Sequence, residues 1–543
     1  MLGDVKEWPQ MAMLSLQLTI IAIPLIVLAN LVRRLFSKGS LPSSLPWVGT
    51  GPHSGPLSRA RANLKSFFSL KSMLDEGYHK YAKNNKPYVL PYFLSGYQVV
   101  LPLSQVDWLL TQPDSVLSQE DVNRQFLESD YTFPHPSFVK DPVHPEIIRH
   151  ELTKKLNTFA DDVVDEMEQA LTDSWGTNTD DWVEVNVYQT LLHIVARLST
   201  RVFIGLPLCR DTEFLEACQS FNRNVALSAA FLNLLPSFLK PFFAPLVAGA
   251  DYLRYKKCSK YILPTIEERL ETLKNKEKLP VFDPSTPSDY IQWAIDHAVR
   301  KGGLESRELE SRVIATRFAI LCFAAIQSSV ITLTNAVFDV ASSPDCARFL
   351  DTMRREVLNE TSTTTTAAAT ATATTQQPLW SRAMMARLTH VDSALRESLR
   401  LNGFIERGIM KMVVAPEGLT LPDGSHVPAA PSGNGGTKPQ ALINTSDHFM
   451  GFSHGSHACP GRFFAANQMK IALGHIALRY EIEPIPVRPV NRWFFGHIAP
   501  PLGGDPAGEA EEGMNHGLIY YCYRQIARVI EFKLDYEEHR YHP

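Results

Sequence analysis

The spacing of apolar and polar positions divides the chain into an apolar head, a mixed body and a tail of different character. Met11 to Val32 runs for 22 residues without a charged side chain, and about 20 such residues cross a bilayer core. Arg33, Arg34 and Lys38 follow at once, whereas Asp4, Lys6 and Glu7 precede it. Positive charge on the body side predicts one transmembrane helix over 11–32, with the body cytoplasmic and residues 1–10 across the membrane. A cleaved signal peptide fits less well: its charges would precede the apolar run, and a small-residue cleavage site would follow. Residues 33–50 then read as a basic, Pro-rich hinge, because Pro42 and Pro46 forbid helix continuation and stiffen the connection. An ordinary linker is compatible with the same residues. A body held at a membrane surface is expected to act on a lipophilic substrate.

Within the body, YVLPYF and YQVVLPL in the 85–110 region read as short strands broken by Pro and Gly. From about 140 to 345 the pattern is mostly helical. Val225 to Ala250 is apolar except for Lys240, and it holds Pro236, Pro241 and Pro245. It predicts two short helices joined by a loop that either enters a bilayer or packs as core. Phe318 to Phe338 is uncharged for 21 residues, but Gln327, Ser328, Ser329, Thr332, Thr334 and Asn335 would each need a partner in lipid. A core helix from Val313 to Val340, roughly 42 Å long at about 1.5 Å per residue, is the better reading. Thr361 to Gln377 is low-complexity Thr/Ala and reads as a surface insertion without a fixed fold. Residues 381–401 show a helical stripe of Leu388, Val391, Leu395 and Leu399, and Arg462 to Tyr480 reads as another helix. The expected class is mainly α with small β-sheets (α+β).

Charge narrows the function. The 53 Lys+Arg against 57 Asp+Glu give a net charge of −4, which argues against a polyanion-binding protein. Seven cysteines are scattered with no CxxC pair, so neither a disulfide scaffold nor a zinc site is expected. One of them has distinctive surroundings. Phe452-Ser453-His454-Gly455-Ser456-His457-Ala458-Cys459-Pro460-Gly461-Arg462 is a glycine-bearing loop that delivers a cysteine to the start of a helix. The helix dipole and unpaired N–H groups there stabilise a thiolate. Small residues nearby admit a flat macrocycle, and an aromatic seven residues earlier can pack beneath it. Those are the requirements of an axial thiolate on haem iron.

F-x-x-G-x-x-x-C-x-G, filled by Phe452, Gly455, Cys459 and Gly461, resembles the haem-thiolate loop of the cytochrome P-450 family. Glu397-Ser398-Leu399-Arg400 resembles the family's E-x-x-R, and Ala324-Ala325-Ile326-Gln327-Ser328-Ser329 its oxygen-activation segment. In the latter, Gln327 stands at the acidic position and Ser328 at the threonine position. LPWVG, RVFIGLPLCR and ALRESLRLNGF make the chain similar to a fungal subgroup that includes ent-kaurene oxidase-like enzymes. The resemblance implies the P-450 fold over 51–501 and haem b ligated by Cys459. It implies that Glu397 and Arg400 scaffold the loop, that His457 and Arg407 meet haem propionates, and that Ser328, Gln327 and Ser329 serve oxygen activation. It also implies an endoplasmic-reticulum protein, lumenal at 1–10, fed electrons from NADPH by a reductase, oxidising an apolar terpenoid-like or mixed secondary metabolite. No nucleic-acid partner is expected.

Three departures accompany the resemblance. No W-x-x-x-R occurs in 140–160, where His144, Arg149, His150 and Lys154 are the available basic residues. The segment 428–450 is shortened and lacks the arginine that usually locks E-x-x-R, so a buried Glu397–Arg400 pair would be under-satisfied and haem retention weak. Residues 502–543 match nothing in the family pattern. A degenerate haem-binding protein without turnover, and a redox-independent isomerase or dehydratase, are the competing functions. Removal of residues 1–38 should shift the protein from the membrane pellet toward the supernatant, with some retention through Val225–Ala250. Complete pelleting of the truncated protein in low and high salt would place the anchor elsewhere.

Overall fold

The computed structural model describes residues 25–33, 35–36, 41–42, 44–51, 55–93, 96–113, 115–134, 143–275, 287–370, 380–404, 409–427, 443, 445, 449–455, 458–494, 497–499 and 518–523. Most of the expected membrane span lies outside them, as do Arg407, His457 and residues 428–442 of the shortened segment. Residues 25–33 are helical, with Leu25, Leu28 and Val32 exposed.

Helices dominate, as expected. Those of nine residues or more are α1 (Pro56–Lys80), α2 (Gln119–Leu127), α3 (Ala160–Trp175), α4 (Val187–Phe203), α5 (Thr212–Leu234), α6 (Lys240–Asn275), α7 (Tyr290–Gly302), α8 (Ser311–Ala341), α9 (Cys346–Thr370), α10 (Thr389–Leu401) and α11 (Arg462–Arg479). Four of their starts follow from side-chain capping. Ser118, Asn186, Asp211 and Asp289 each accept a backbone N–H from the first turn of α2, α4, α5 and α7, an interaction worth about 1 kcal/mol. The N-terminus of α10 is capped from a distance instead: the Glu356 carboxylate of α9 accepts the N–H groups of His390 and Val391.

α8 runs through the core, and 72% of its most apolar window is buried. Several of its polar residues are satisfied within the protein, Asn335 by Ile331 O and Arg488, and Thr332 by Ser328 O, whereas the buried Thr334 hydroxyl finds no partner among the described residues. The core-helix reading therefore holds. The Leu388–Leu399 stripe is buried as expected, but Leu388 (φ −72°, ψ 76°) separates a short Arg382–Arg387 helix from α10.

The strands are β1 (Tyr88–Tyr92), β2 (Gly96–Val100), β3 (Leu117–Ser118), β4 (Val183–Asn186), β5 (Met412–Val413), β6 (Leu419–Thr420), β7 (His426–Val427), β8 (Tyr480–Ile482), β9 (Arg492–Phe494), β10 (His497–Ala499) and β11 (Leu518–Tyr523). β1 pairs β2, β3 pairs β5, β6 pairs β7 and β9 pairs β10; the one larger sheet has the order β4–β11–β8. Gly77 of α1 lets the Tyr88 ring of β1 lie against the helix, where a Cβ would stand 2.2 Å from the ring.

Four expectations are corrected. Residues 361–370 continue α9 rather than forming an unstructured insertion; Thr361 returns its hydroxyl to Val357 O at 2.8 Å, and residues 371–377 of the run lie outside the described residues. Val225–Ala250 belongs to two long helices, α5 and α6, with Pro236 in the connection and Pro241 in the first turn of α6, where a missing N–H costs nothing. The end of the hinge is docked, not free: Val48 donates to Val89 O at 3.1 Å and Val89 to Pro46 O at 2.8 Å. The unmatched tail supplies β11, the central strand between β4 and β8, so the folded body extends beyond residue 501.

Beside the β4 sheet, α3 and α4 are tied by a buried charge cluster. The fully buried Glu166 accepts from Arg197 Nε at 2.6 Å and Arg210 Nε at 2.7 Å, and Arg197 Nη1 reaches Asp173 at 2.6 Å. Glu166→Ala strands Arg197 without its main counter-charge and should cost about 3–5 kcal/mol. Asp165→Ala, which removes only the exposed partner of Arg210, should cost no more than about 1 kcal/mol. Thermal melts of the two variants check the contrast.

Candidate active site

The cysteine loop is closed by its own backbone. Cys459 N donates to Phe452 O at 2.9 Å, Ser453 N to Met450 O at 2.8 Å, and Ala458 N to Gly455 O at 3.1 Å. Two residues hold positive φ, Ser453 at 59° and Gly455 at 77°; glycine adopts that conformation without steric cost. α11 begins immediately after, with Gly461 as its N-cap. A Cβ on Gly461 would meet no atom within 4 Å, so the surface two residues past the cysteine is open to a flat group. Phe452 is half-buried and packs on the main core.

Burial pushes the Cys459 thiol above its ordinary pKa, against the pull of the Gly461 and Arg462 backbone N–H groups and the Arg462 charge. The helix start favours the thiolate, as the sequence reading has it, while desolvation opposes it. A bound metal cation would supply the missing charge and displace the proton. Burial depresses Arg462, and the like charge of Arg149 depresses it further. Two guanidinium groups thus stand beside one cysteine loop, which suits a macrocycle carrying two carboxylates. The donor set fits haem: one sulfur, an open glycine edge, and cations nearby.

α8 presents two faces at its midpoint. Cys322, Ile326, Ser329 and Val330 are buried, whereas Ala324 is exposed and Ala325, Gln327 and Ser328 are half-buried. Ser328 and Gln327 thus lie toward the open side. Ser329 lies on the packed side, with its hydroxyl 3.0 Å from Ala325 O. Gln327 Oε1 accepts from the Tyr188 hydroxyl of α4 at 3.3 Å. Burial raises the Tyr188 phenol, which keeps it a neutral donor.

Glu397 and Arg400 form a bidentate pair, 2.6 Å and 2.7 Å, but their side chains are 56% and 57% exposed. The pair is therefore not buried and under-satisfied; both residues lie off the buried stripe of Val391, Leu395 and Leu399 on α10, where helical spacing places them. The loop is braced by other groups. Arg396, one position earlier, lies 3.8 Å over the buried Phe449 ring. His454 and Thr445 share a buried hydrogen bond of 2.8 Å. Arg462 donates to Ile443 O at 3.1 Å and to Cys459 O at 2.9 Å. Gly451 is pressed so closely on Leu399 that a Cβ would stand 2.5 Å from it.

The loop residues Phe452, Gly455, Cys459 and Gly461 therefore come together as anticipated, and Glu397 and Arg400 serve no buried role. Arg396, Tyr188, Thr445 and His454 escaped the sequence reading. Tyr188 and Gln327 are 139 positions apart, and no spacing rule connects residues so distant. Arg149 was among the basic residues available in 140–160, and its place beside Arg462 distinguishes it.

A family model described as cytochrome P450 matches residues 62–435 and 437–501. The chain is 28% identical over 494 residues to cytochrome P450 monooxygenase 151 of Postia placenta, covering 85% of this chain and 92% of that protein. It is 27% identical over 523 residues to cytochrome P450 monooxygenase gloP of Glarea lozoyensis, covering 88% and 93%. It is 27% identical over 544 residues to cytochrome P450 monooxygenase htyF of Aspergillus rugulosus, covering 92% and 77%.

The bracing makes opposite demands on neighbouring residues. Glu397→Gln should change stability by less than about 1 kcal/mol, as for an exposed ion pair. Arg396→Ala should cost about 1–2 kcal/mol through the lost contact with Phe449. Thermal melts and haem retention during gel filtration, compared side by side, check the order.

Proposed function

We propose, because the chain belongs to the cytochrome P450 family, that it is a membrane-held haem-thiolate monooxygenase acting on an apolar, terpenoid-like or mixed fungal secondary metabolite. Monooxygenase activity, cysteine-ligated haem and NADPH-derived electrons from a reductase follow from the family. The assignment of the ligand rests chiefly on one observation: Cys459 stands at the start of α11 with the Gly461 and Arg462 N–H groups on its sulfur. Bound there, haem supplies the reductive activation of O₂ and the oxidation of an unactivated C–H bond.

The chain's own residues do the rest. Cys459 holds the iron, and the loop's closing hydrogen bonds hold the cysteine. Arg149 and Arg462 neutralise the propionates, together with His457 and Arg407, which lie outside the described residues. Ser328, on the open side of α8, donates and accepts protons near the reacting oxygen. Gln327 orients that site rather than relaying protons, since an amide does not titrate, and Tyr188 fixes its side chain. Ser329 supports the helix.

The membrane attachment is supported by the Met11–Val32 run and by the α5–α6 corner. Phe231, Phe238, Phe242 and Leu246 are exposed there, and Val27 packs against the same corner. This arrangement suits a catalytic body on the cytoplasmic face of the endoplasmic reticulum, receiving lipophilic substrate from the bilayer. The reductase would dock on the surface around the cysteine loop.

The reduced, CO-bound absorption spectrum of the microsomal protein should carry the thiolate signature, and Cys459→Ala should abolish it. A thiolate-type spectrum surviving that substitution would refute the ligand assignment.

A further inference from the structure

Three of the remaining cysteines converge although their positions gave no sign of it. Cys218 of α5, Cys258 of α6 and Cys322 of α8 are each no more than 2% exposed. Cys218 Sγ and Cys258 Sγ stand 2.8 Å apart, although the residues are 40 positions apart in sequence. Cys322 is a third neighbour of the same sulfur. The two closest atoms need move together by less than 1 Å to reach the bonded distance of about 2.05 Å. Backbone and side-chain placement already bring these sulfurs together.

We propose that Cys218 and Cys258 form a peroxide-driven disulfide that pins α5 to α6 across the helices that cover α8. Hydrogen peroxide is a by-product chemically open to a monooxygenase: O₂ takes up two electrons and two protons without oxidising substrate. The source of the oxidant thus rests on the monooxygenase reading. In the first step one sulfur attacks peroxide; the O–O bond breaks, a sulfenic acid forms and one water leaves. In the second, the other sulfur attacks the sulfenic sulfur, and the hydroxyl departs as a second water. Two thiols and one peroxide yield one disulfide and two waters, so the atoms and electrons balance.

The surroundings select the oxidant and the rate. Burial excludes bulky oxidants, and glutathione cannot approach to reverse the reaction. Burial also pushes the Cys218 thiol well up, so attack on peroxide is slow. Cys322 lies on the packed face of α8, opposite the exposed Ala324, so the sulfurs are separated from the open side by little more than a helix, about 10 Å across.

The test uses the whole haem-loaded protein, purified in reductant, desalted, and titrated with hydrogen peroxide. Samples are denatured in alkylating reagent, digested without reduction and mapped by mass spectrometry. The expected product is a peptide pair joined at Cys218 and Cys258, with Cys322 still alkylated. It should disappear on treatment with dithiothreitol and be absent from Cys218→Ser and Cys258→Ser. The oxidised wild type should melt at a higher temperature than the reduced form. The wild-type map decides the matter even if a variant folds poorly. Full alkylation of Cys218 and Cys258 at peroxide levels that already bleach the haem would overturn the proposal. So would a bond joining Cys218 to Cys322 instead.

Discussion

The start of α11 sets the terms for everything around it. A helix offers unpaired N–H groups at its first turn, and here two of them meet the sulfur of Cys459. Desolvation opposes that attraction and raises the thiol above its ordinary pKa. A bound metal cation would supply further positive charge and favour the thiolate. The long core helix α8, the loop before α11 and the basic residues Arg149 and Arg462 are arranged around this one constraint. The loop can be irregular because its polar backbone is paired within itself, and it can be tight because glycine occupies the position at φ 77°.

A short segment before the loop would ordinarily be a liability, since a buried ion pair without its full complement of partners is costly. The protein avoids that cost by moving the pair to the surface. Glu397 and Arg400 bond each other in water, and the neighbouring Arg396 turns inward to a ring. The exchange replaces a demanding network of charges with a stacking contact, a histidine–threonine hydrogen bond and close packing of Gly451 on Leu399. None of these requires the geometry of a three-member charge cluster.

Patterns within one element were legible in the sequence. The α8 core helix, the α10 stripe and the β1–β2 hairpin rest on local periodicity, and the cysteine loop rests on contiguous residues whose roles depend on one turn. Interactions between elements were not legible. Whether a Glu–Arg pair at i and i+3 faces water or core depends on what covers the helix, and α10 leaves that face bare. The Thr/Ala run was misjudged because low complexity signals a poor core, not a poor helix, and residues 361–370 need only continue a helix already begun. The place of the tail in the sheet was illegible for a different reason. LIYYCY is a strand by composition, but its partners lie at Val183–Asn186 and Tyr480–Ile482, and nothing local announces them.

That strand has a bearing on how the protein is made. A ribosome releases the chain from its N-terminus onward, so β4 and β8 emerge long before β11 can lie between them. Until residues 518–523 arrive, both strands present unpaired edges of the kind that attract other chains. Completion of the sheet thus waits for residues 518–523. A chain cut short of residue 518 would keep its cysteine loop but leave the β4 and β8 edges unpaired and open to other chains.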